Sequence, residues 1–138
     1  DQERLELFKE WKEALGTPEF PRHISAFKQL VAPPGNLVAR PCFCAVGVLL
    51  ELTLRKYPDL IECKETDTHG SYGFCVPGSA DLRTGAMSGP LRLVFRISYD
   101  TEQRIESAND IGESDARLKQ IIQEHLITPL EMRWQGHV

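Results

Sequence analysis

The sequence has no glycine-rich phosphate loop and no apolar run long enough to span a membrane. Neither Gly-x-Gly-x-x-Gly nor Gly-x-x-x-x-Gly-Lys occurs, so the two common nucleotide-binding motifs are missing. A membrane-spanning helix needs roughly 20 consecutive apolar residues, and every apolar run here is shorter. Internal repeats and low-complexity segments are also missing. These absences argue against a phosphate-loop nucleotide site, a membrane span and a repeat architecture.

An excess of basic residues is also lacking, since 16 Lys and Arg face 20 Asp and Glu for a net charge of −4. Nonspecific nucleic-acid binding depends on clustered Lys and Arg, so we do not expect it. A chain of 138 residues has the size of one domain and can bury one core. We expect a single domain over residues 1–138, with the aperiodic residues 127–138 as a peripheral tail. Because the sequence starts at Asp1 rather than methionine, we also expect an upstream piece in the full-length chain.

Cysteine is too sparse for a disulfide scaffold, which is normally shorter and richer in it. We expect all four cysteines to be reduced and the protein to be cytoplasmic. Structural zinc sites usually place two to four residues between paired ligands, whereas one residue separates the first pair here and eleven separate the second. Even with His69 as a substitute ligand, the spacing predicts no metal site, and we expect no cofactor. The four cysteines are Cys42, Cys44, Cys63 and Cys75.

The first half of the chain is predicted to be helical. Residues 3–15 carry an apolar stripe at helical spacing, and Ser25 is a plausible N-cap for a short helix over 25–31. Residues 43–57 are apolar nearly all round, which predicts a central buried helix with Pro41 in its first turn. Gly47 weakens such a helix by about 1 kcal/mol relative to Ala, so we expect another backbone to approach it closely.

The second half predicts a small, mostly antiparallel sheet and a last helix. "LIEC" and "YGFCV" resemble short strands, and residues 91–99 alternate apolar and polar side chains as a half-buried strand does. With a turn at 100–103 this gives a hairpin over 91–106. Ser114 is a plausible cap for a final amphipathic helix. Helices, then strands, then a helix predict an α+β domain. The stripe of the last helix is Leu118, Ile121, Ile122, His125 and Leu126.

Cys44 is the first candidate for chemistry, because a thiol in the first turn of a helix has a lowered pKa. As a nucleophile it would need a histidine base held by an Asn or Asp, and no spacing selects one histidine. The other interpretation is that Cys44 packs in the core as a small apolar residue. The candidate bases are His23, His69, His125 and His137, and the candidate orienting residues are Asn109 and Asp110.

Two further groups are candidates for binding. Arg92 and Arg96 would share one face of the predicted strand and, with Arg83 or Arg104, could hold an anion; a solvated sheet face is the simpler interpretation. Asn109 and Asp110 (residues 109–110) are expected as turn and cap residues between the last strand and the last helix. Loops of that kind also build binding sites.

Three segments resemble a family of small uncharacterised bacteriophage and bacterial proteins with a "YCCLGVLCDL" or "CALGAL" helix and a downstream "ND-x-G-x-S" segment. They are residues 11–16 (WKEALG), 43–49 (FCAVGVL) and 109–114 (NDIGES). Cys44 aligns with the first cysteine of the family pattern. Ala45 replaces the second, and Asp115 stands where the family tends to have an aromatic residue.

This resemblance supplies no activity. It implies a compact α+β fold, a phage or mobile-element origin, and the cytoplasm of a bacterial host as workplace. It also associates Cys44 with Asn109 and Asp110.

Two functions follow as hypotheses. The first is a non-catalytic viral protein that binds a host protein or a small host ligand, for instance as an inhibitor of a bacterial defence system. Its contact face would come from the hairpin 91–106 and the irregular segment 65–90, and its binding residues would be Arg92, Arg96 and residues 109–110. The alternative is a cysteine-dependent hydrolase or transferase. In that enzyme Cys44 would be the nucleophile, His69 or His23 the base, and Asp110 the orienting carboxylate.

Overall fold

The computed structural model describes residues 1–35 and 37–135, and these residues form the predicted α+β fold. Helices and a four-stranded antiparallel sheet surround one cluster of buried apolar side chains that extends from Leu7 to Leu130. The elements in chain order are α1 (Gln2–Ala14), β1 (Lys28–Val31), β2 (Arg40–Phe43), α2 (Ala45–Lys56), β3 (Glu62–Glu65), β4 (Ser71–Cys75), α3 (Gly89–Phe95), α4 (Tyr99–Asp110), α5 (Asp115–Ile122), a π-helical turn (Gln123–Ile127) and α6 (Thr128–Gln135).

The first helix and the central helix lie as the apolar periodicity predicts. Phe8 and Trp11 of α1 are buried, and the Trp11 indole Nε1 donates to the Ala45 carbonyl at 2.8 Å. Helix α2 is buried over most of its circumference. At Gly47 a Cβ atom would lie 1.8 Å from the Phe27 carbonyl oxygen, which confirms the close backbone approach. The two helices pack against each other and fix the position of the α2 N-terminus.

The sheet has the strand order β2-β1-β4-β3, with every pair antiparallel. The two short strands predicted in the second half are confirmed as β3 and β4. The short helix predicted over 25–31 is wrong, because this segment pairs with β2 and β4 as strand β1. Four residues are too few to display a period, and distant partners decide their conformation. Pro41 does not lie in the first turn of α2 but in edge strand β2. An edge strand tolerates proline, because the missing N–H leaves no ladder hydrogen bond unmade.

The predicted strand over 91–99 and the hairpin over 91–106 are wrong, because this stretch forms α3 and α4. The Ser88 and Ser98 side chains accept from backbone N–H groups three residues later, which is N-cap geometry. Leu91 and Phe95, four residues apart, are buried on one face of α3, whereas Leu93 between them is 75 % exposed. Apolar residues at alternate positions satisfy part of the helical period too, and the serine caps decide between the two.

The C-terminal part is helical and packed. Ser114 caps α5 as predicted, accepting from Arg117 N at 3.2 Å. The chain continues through the π-helical turn into α6, and Ile127 at the end of the turn and Leu130 in α6 are only 1 % and 4 % exposed. A peripheral tail from residue 127 is therefore wrong for this part, and residues 136–138 lie outside the described residues. His125 is exposed rather than part of the buried stripe.

Each of the four cysteines carries a free thiol. No helix in the part of the chain that the structure describes is both long and apolar enough to cross a bilayer.

Candidate functional site

Cys44 is the N-cap residue of α2, and its thiol is completely buried. The sulfur accepts from Gly47 N at 3.4 Å, while the S–H donates to Glu106 Oε1 at 3.5 Å. Burial, and next the charge of the Glu106 carboxylate, raise the pKa of Cys44 well above the ordinary thiol value. The expected thiolate-stabilising effect of a helix N-terminus is thus outweighed, and the thiol serves as a cap.

Helix α4 supplies the remaining acceptors for the first turn of α2. Asn109 Oδ1 accepts from Ala45 N at 3.1 Å, and Glu106 Oε1 accepts from Val46 N at 3.2 Å. The first free N–H groups of a helix normally need such partners. We call Cys44, Glu106 and Asn109 the capping cluster, because together they satisfy three consecutive N–H groups of the central helix.

Glu106 is the member of the capping cluster that sequence reasoning missed. It is 6 % exposed, and burial raises its pKa to about 7 although Val46 N and the Cys44 thiol both donate to it. The nearby Asp110 and Glu102 carboxylates raise the pKa further. Reading residues 99–110 as a helix would have placed Glu106 and Asn109 three residues apart on one face. Ser98, directly before that segment, is the residue that indicates the start of a helix.

Asn109 and Asp110 also attach the chain segment before β1 to α4. The Asn109 amide donates to the His23 carbonyl at 3.0 Å, and Asp110 Oδ1 accepts from Ser25 N at 3.1 Å. Asn109 Oδ1 accepts from Arg22 Nε at 3.1 Å as well. Both residues lie in the last turn of α4 rather than in a strand-to-helix loop. Their hydrogen bonds go mainly to backbone groups, as a structural role requires.

The alternative catalytic hypothesis needs a histidine base at the Cys44 sulfur, and no hydrogen bond between a described histidine and that sulfur is present. The His69 side chain is 93 % exposed and lies 3.8 Å from Glu65, whereas Cys44 is fully buried. Within residues 1–35 and 37–135, the hydrogen-bond partners of the Cys44 thiol are Glu106 and Gly47, and neither is a histidine. His137 lies outside the described residues. In the same part of the chain, no three His, Cys, Asp or Glu side chains group as metal ligands.

The predicted binding residue Arg92 is already engaged inside the protein. Its Nη1 donates to the Met87 carbonyl at 2.7 Å and lies 3.5 Å from Glu102 Oε1. Its guanidinium also lies over the Tyr99 ring, 5.3 Å from the centroid. Arg92 therefore stabilises the α3–α4 connection through Nη1 and the Tyr99 ring, and it does not line the groove that contains Arg96.

Arg96, in contrast, lines an open groove of about 610 Å³. The groove lies between the first turn of α1, the end of α2 and the end of α3, so α2 connects it to the capping cluster over 12 residues. Its walls combine apolar, basic and acidic side chains, and we call it the arginine groove. The residues that define it here are Arg4, Lys56, Tyr57, Leu60, Val94 and Arg96.

Arg4 is the most constrained cation of the arginine groove. Its side chain is 12 % exposed and pairs with Asp1 at 3.2 Å, yet its buried Nε finds no acceptor among the described residues. Burial, followed by the positive charges of Arg96 and Arg133, lowers the pKa of the Arg4 guanidinium.

Comparison with protein-family models, curated proteins and solved structures found no match for the sequence or the fold.

Proposed function

We propose that this protein is a non-catalytic binding protein that takes up a small host ligand stoichiometrically in the arginine groove. The observation that carries the proposal is an open groove of about 610 Å³ with both apolar walls and arginine side chains. Ligand sites in proteins commonly have volumes of about 300–1,000 Å³ and combine apolar walls with a few polar groups. The workplace we propose is the cytoplasm of a bacterial host.

The state of Cys44 supports binding over turnover. A catalytic cysteine acts as a thiolate that a substrate can reach, whereas this thiol is buried, carries a raised pKa and caps the central helix. The contact face we propose differs from the hairpin 91–106 expected from the sequence. It keeps Arg96 and Val94 from that stretch, because both line the groove.

The test is native mass spectrometry of the protein after incubation with a small-molecule extract of bacterial cytoplasm. We expect one bound species per chain, lost in Leu60→Trp, since this side chain is 43 % exposed in the groove and a larger ring would fill it. The matched control is Leu93→Trp, which adds the same ring at a site that is 75 % exposed and not part of the groove lining.

Cys44→Ser separates the two functional hypotheses. A serine hydroxyl can also cap a helix, so the variant should fold and keep the bound species. If trace protein instead consumed a component of the extract, and Cys44→Ser abolished that activity, the enzyme hypothesis would replace the binding one.

A further inference from the structure

We propose that the ligand of the arginine groove is an oxyanion, a carboxylate or a phosphate, attached to an apolar body, with the oxyanion held between Arg4 and Arg96. This inference rests on the proposed binding function and specifies the class of ligand. It rests on the geometry of Arg4, the charges around it, the backbone at Arg96 and the composition of the walls.

The first support is the unsatisfied donor of Arg4. Its Nε is buried and has no acceptor in the described part of the chain. Leaving a buried donor unpaired costs about 1–3 kcal/mol, and buried polar groups in folded proteins nearly always have a partner. Protein atoms cover Nε in this arrangement, so a rotation of the Arg4 side chain, which lines the groove, is part of the proposal: it would bring Nε to an oxygen of the bound ligand. Arginine presents its N–H groups in a planar fork that suits a carboxylate or a phosphate.

The second support is that two further arginines lie near Arg4, whose one ion-pair partner in the described part of the chain is Asp1. The charges of Arg96 and Arg133 act on its guanidinium, and like charges destabilise one another. Lys56, the other cation of the groove, is paired with Glu10 at 2.7 Å, and no ion pair joins Arg96 to any residue that the structure describes. A bound anion would offset the repulsion between Arg4 and Arg96.

The third support is the backbone at Arg96. This residue is the C-cap of α3 with φ +54° in the left-handed region, a position at which glycine is usual because it lacks a Cβ. Non-glycine residues in such conformations concentrate at functional sites. The residue at this unfavourable position is an arginine, and its positive charge lies at the edge of the groove.

The other lining residues of the groove limit which anions can bind. The Asp1, Glu3 and Asp59 carboxylates line it too. Since Asp1 already pairs with Arg4, a bound anion has to displace that carboxylate, and Glu3 and Asp59 repel an anion placed away from the two arginines. Tyr57, Leu60 and Val94 offer apolar and aromatic contact. A compact oxyanion with an aromatic or aliphatic body therefore fits better than a polyanion.

The experiment is isothermal titration calorimetry with four probes of similar size at low ionic strength: phenyl phosphate, benzoate, benzyl alcohol and benzylamine. We expect one of the two anions to bind at least tenfold more tightly than the neutral and cationic probes, and the preference between phosphate and carboxylate to identify the headgroup. Arg96→Gly should weaken anion binding at least tenfold while preserving the fold, because glycine accepts the left-handed backbone.

The matched control is Arg104→Ala, which removes the same charge from an exposed position of α4 outside the groove lining and should change the affinity less than twofold. The inference is overturned if no anion binds more tightly than benzyl alcohol, or if Arg96→Gly leaves anion affinity within twofold. A neutral or cationic species recovered from the extract in the groove would refute the anion inference alone. Recovery of no bound species from the extract would refute the binding function itself.

Discussion

Gly47 occupies the most crowded backbone position of the central helix. An added Cβ would meet the Phe27 carbonyl oxygen at 1.8 Å and its carbon at 2.6 Å, and backbone atoms cannot rotate away as a side chain can. Overpacking usually destabilises by about 1–3 kcal/mol and occasionally more. We expect Gly47→Ala to lower the free energy of unfolding by at least about 3 kcal/mol, measured by urea denaturation.

Gly89→Ala is the matched control for this prediction. The nearest atom to a Cβ there is an Arg92 side-chain nitrogen at 4.0 Å, and alanine favours the helix more than glycine by about 1 kcal/mol. The variant should be as stable as the parent protein or slightly more stable. Equal losses in the two variants would contradict the contact between α2 and Phe27.

Asn109 and Asp110 are adjacent in sequence, but we expect them to contribute unequally to the free energy of unfolding. Asn109→Ala leaves the buried Ala45 N–H and the His23 carbonyl without these partners, so we expect a loss of about 2–4 kcal/mol in the free energy of unfolding. Asp110→Ala removes one hydrogen bond to Ser25 N at an exposed position, and the loss should be about 0.5–1 kcal/mol. Thermal and urea unfolding of the two variants give the comparison. Similar losses would show that the cap on Ala45 contributes little.

At the scale of elements, the interaction of α4 with the α2 N-terminus makes stability depend on pH. In the folded protein Glu106 has a pKa of about 7, against an ordinary value of 4.5. The folded state therefore holds this proton more tightly than the unfolded state, and stability falls as the pH rises from about 4.5 to 7. Relative to Glu106→Gln, which is neutral throughout and keeps an acceptor for Val46 N, we expect the parent to lose on the order of 3 kcal/mol across this range.

Urea denaturation at several pH values between 4 and 8 measures this difference. Glu6→Gln provides the control, since that carboxylate is exposed on α1 and its removal should leave the pH profile parallel to that of the parent. A profile for Glu106→Gln that also parallels the parent would contradict the buried, proton-holding carboxylate.

Periodicity predicts the elements of this fold that bury a wide apolar face. The stripe containing Phe8 and Trp11 and the apolar run of residues 45–50 determine α1 and α2 locally. Helix α2 positions Cys44 of the candidate site, whereas α4 supplies Glu106 and Asn109. Glu106 was missed because α4 has few apolar residues, so its period is weak and Ser98 is the main signal.

Other parts of the fold follow from partners far away in the sequence. Strand β1 has four residues, all of intermediate exposure, and pairs with β2 and β4. Nothing within those four residues separates a strand from a helical turn. The arginine groove likewise joins residues near positions 4, 57 and 96, and no spacing in the sequence brings these together.

At the scale of the whole molecule, the buried apolar cluster includes residues from α1 through α6. A shared core of this kind favours cooperative unfolding without populated intermediates. We expect Trp fluorescence and far-ultraviolet circular dichroism to give one coincident urea transition in Trp134→Phe, in which the fully buried Trp11 is the remaining tryptophan. Separate transitions from the two probes would contradict the expectation of a single domain.

The cap on α2 has a consequence for the order in which the chain acquires structure. The acceptors for Val46 N and Ala45 N come from residues 60 and 64 positions later in the sequence. During synthesis the central helix therefore leaves the ribosome well before α4 exists, and its first turn has only the Cys44 sulfur as a local cap. Closing so long a loop is entropically unfavourable and slows folding. We infer that the N-terminus of the central helix becomes fixed late, only after α4 has been made.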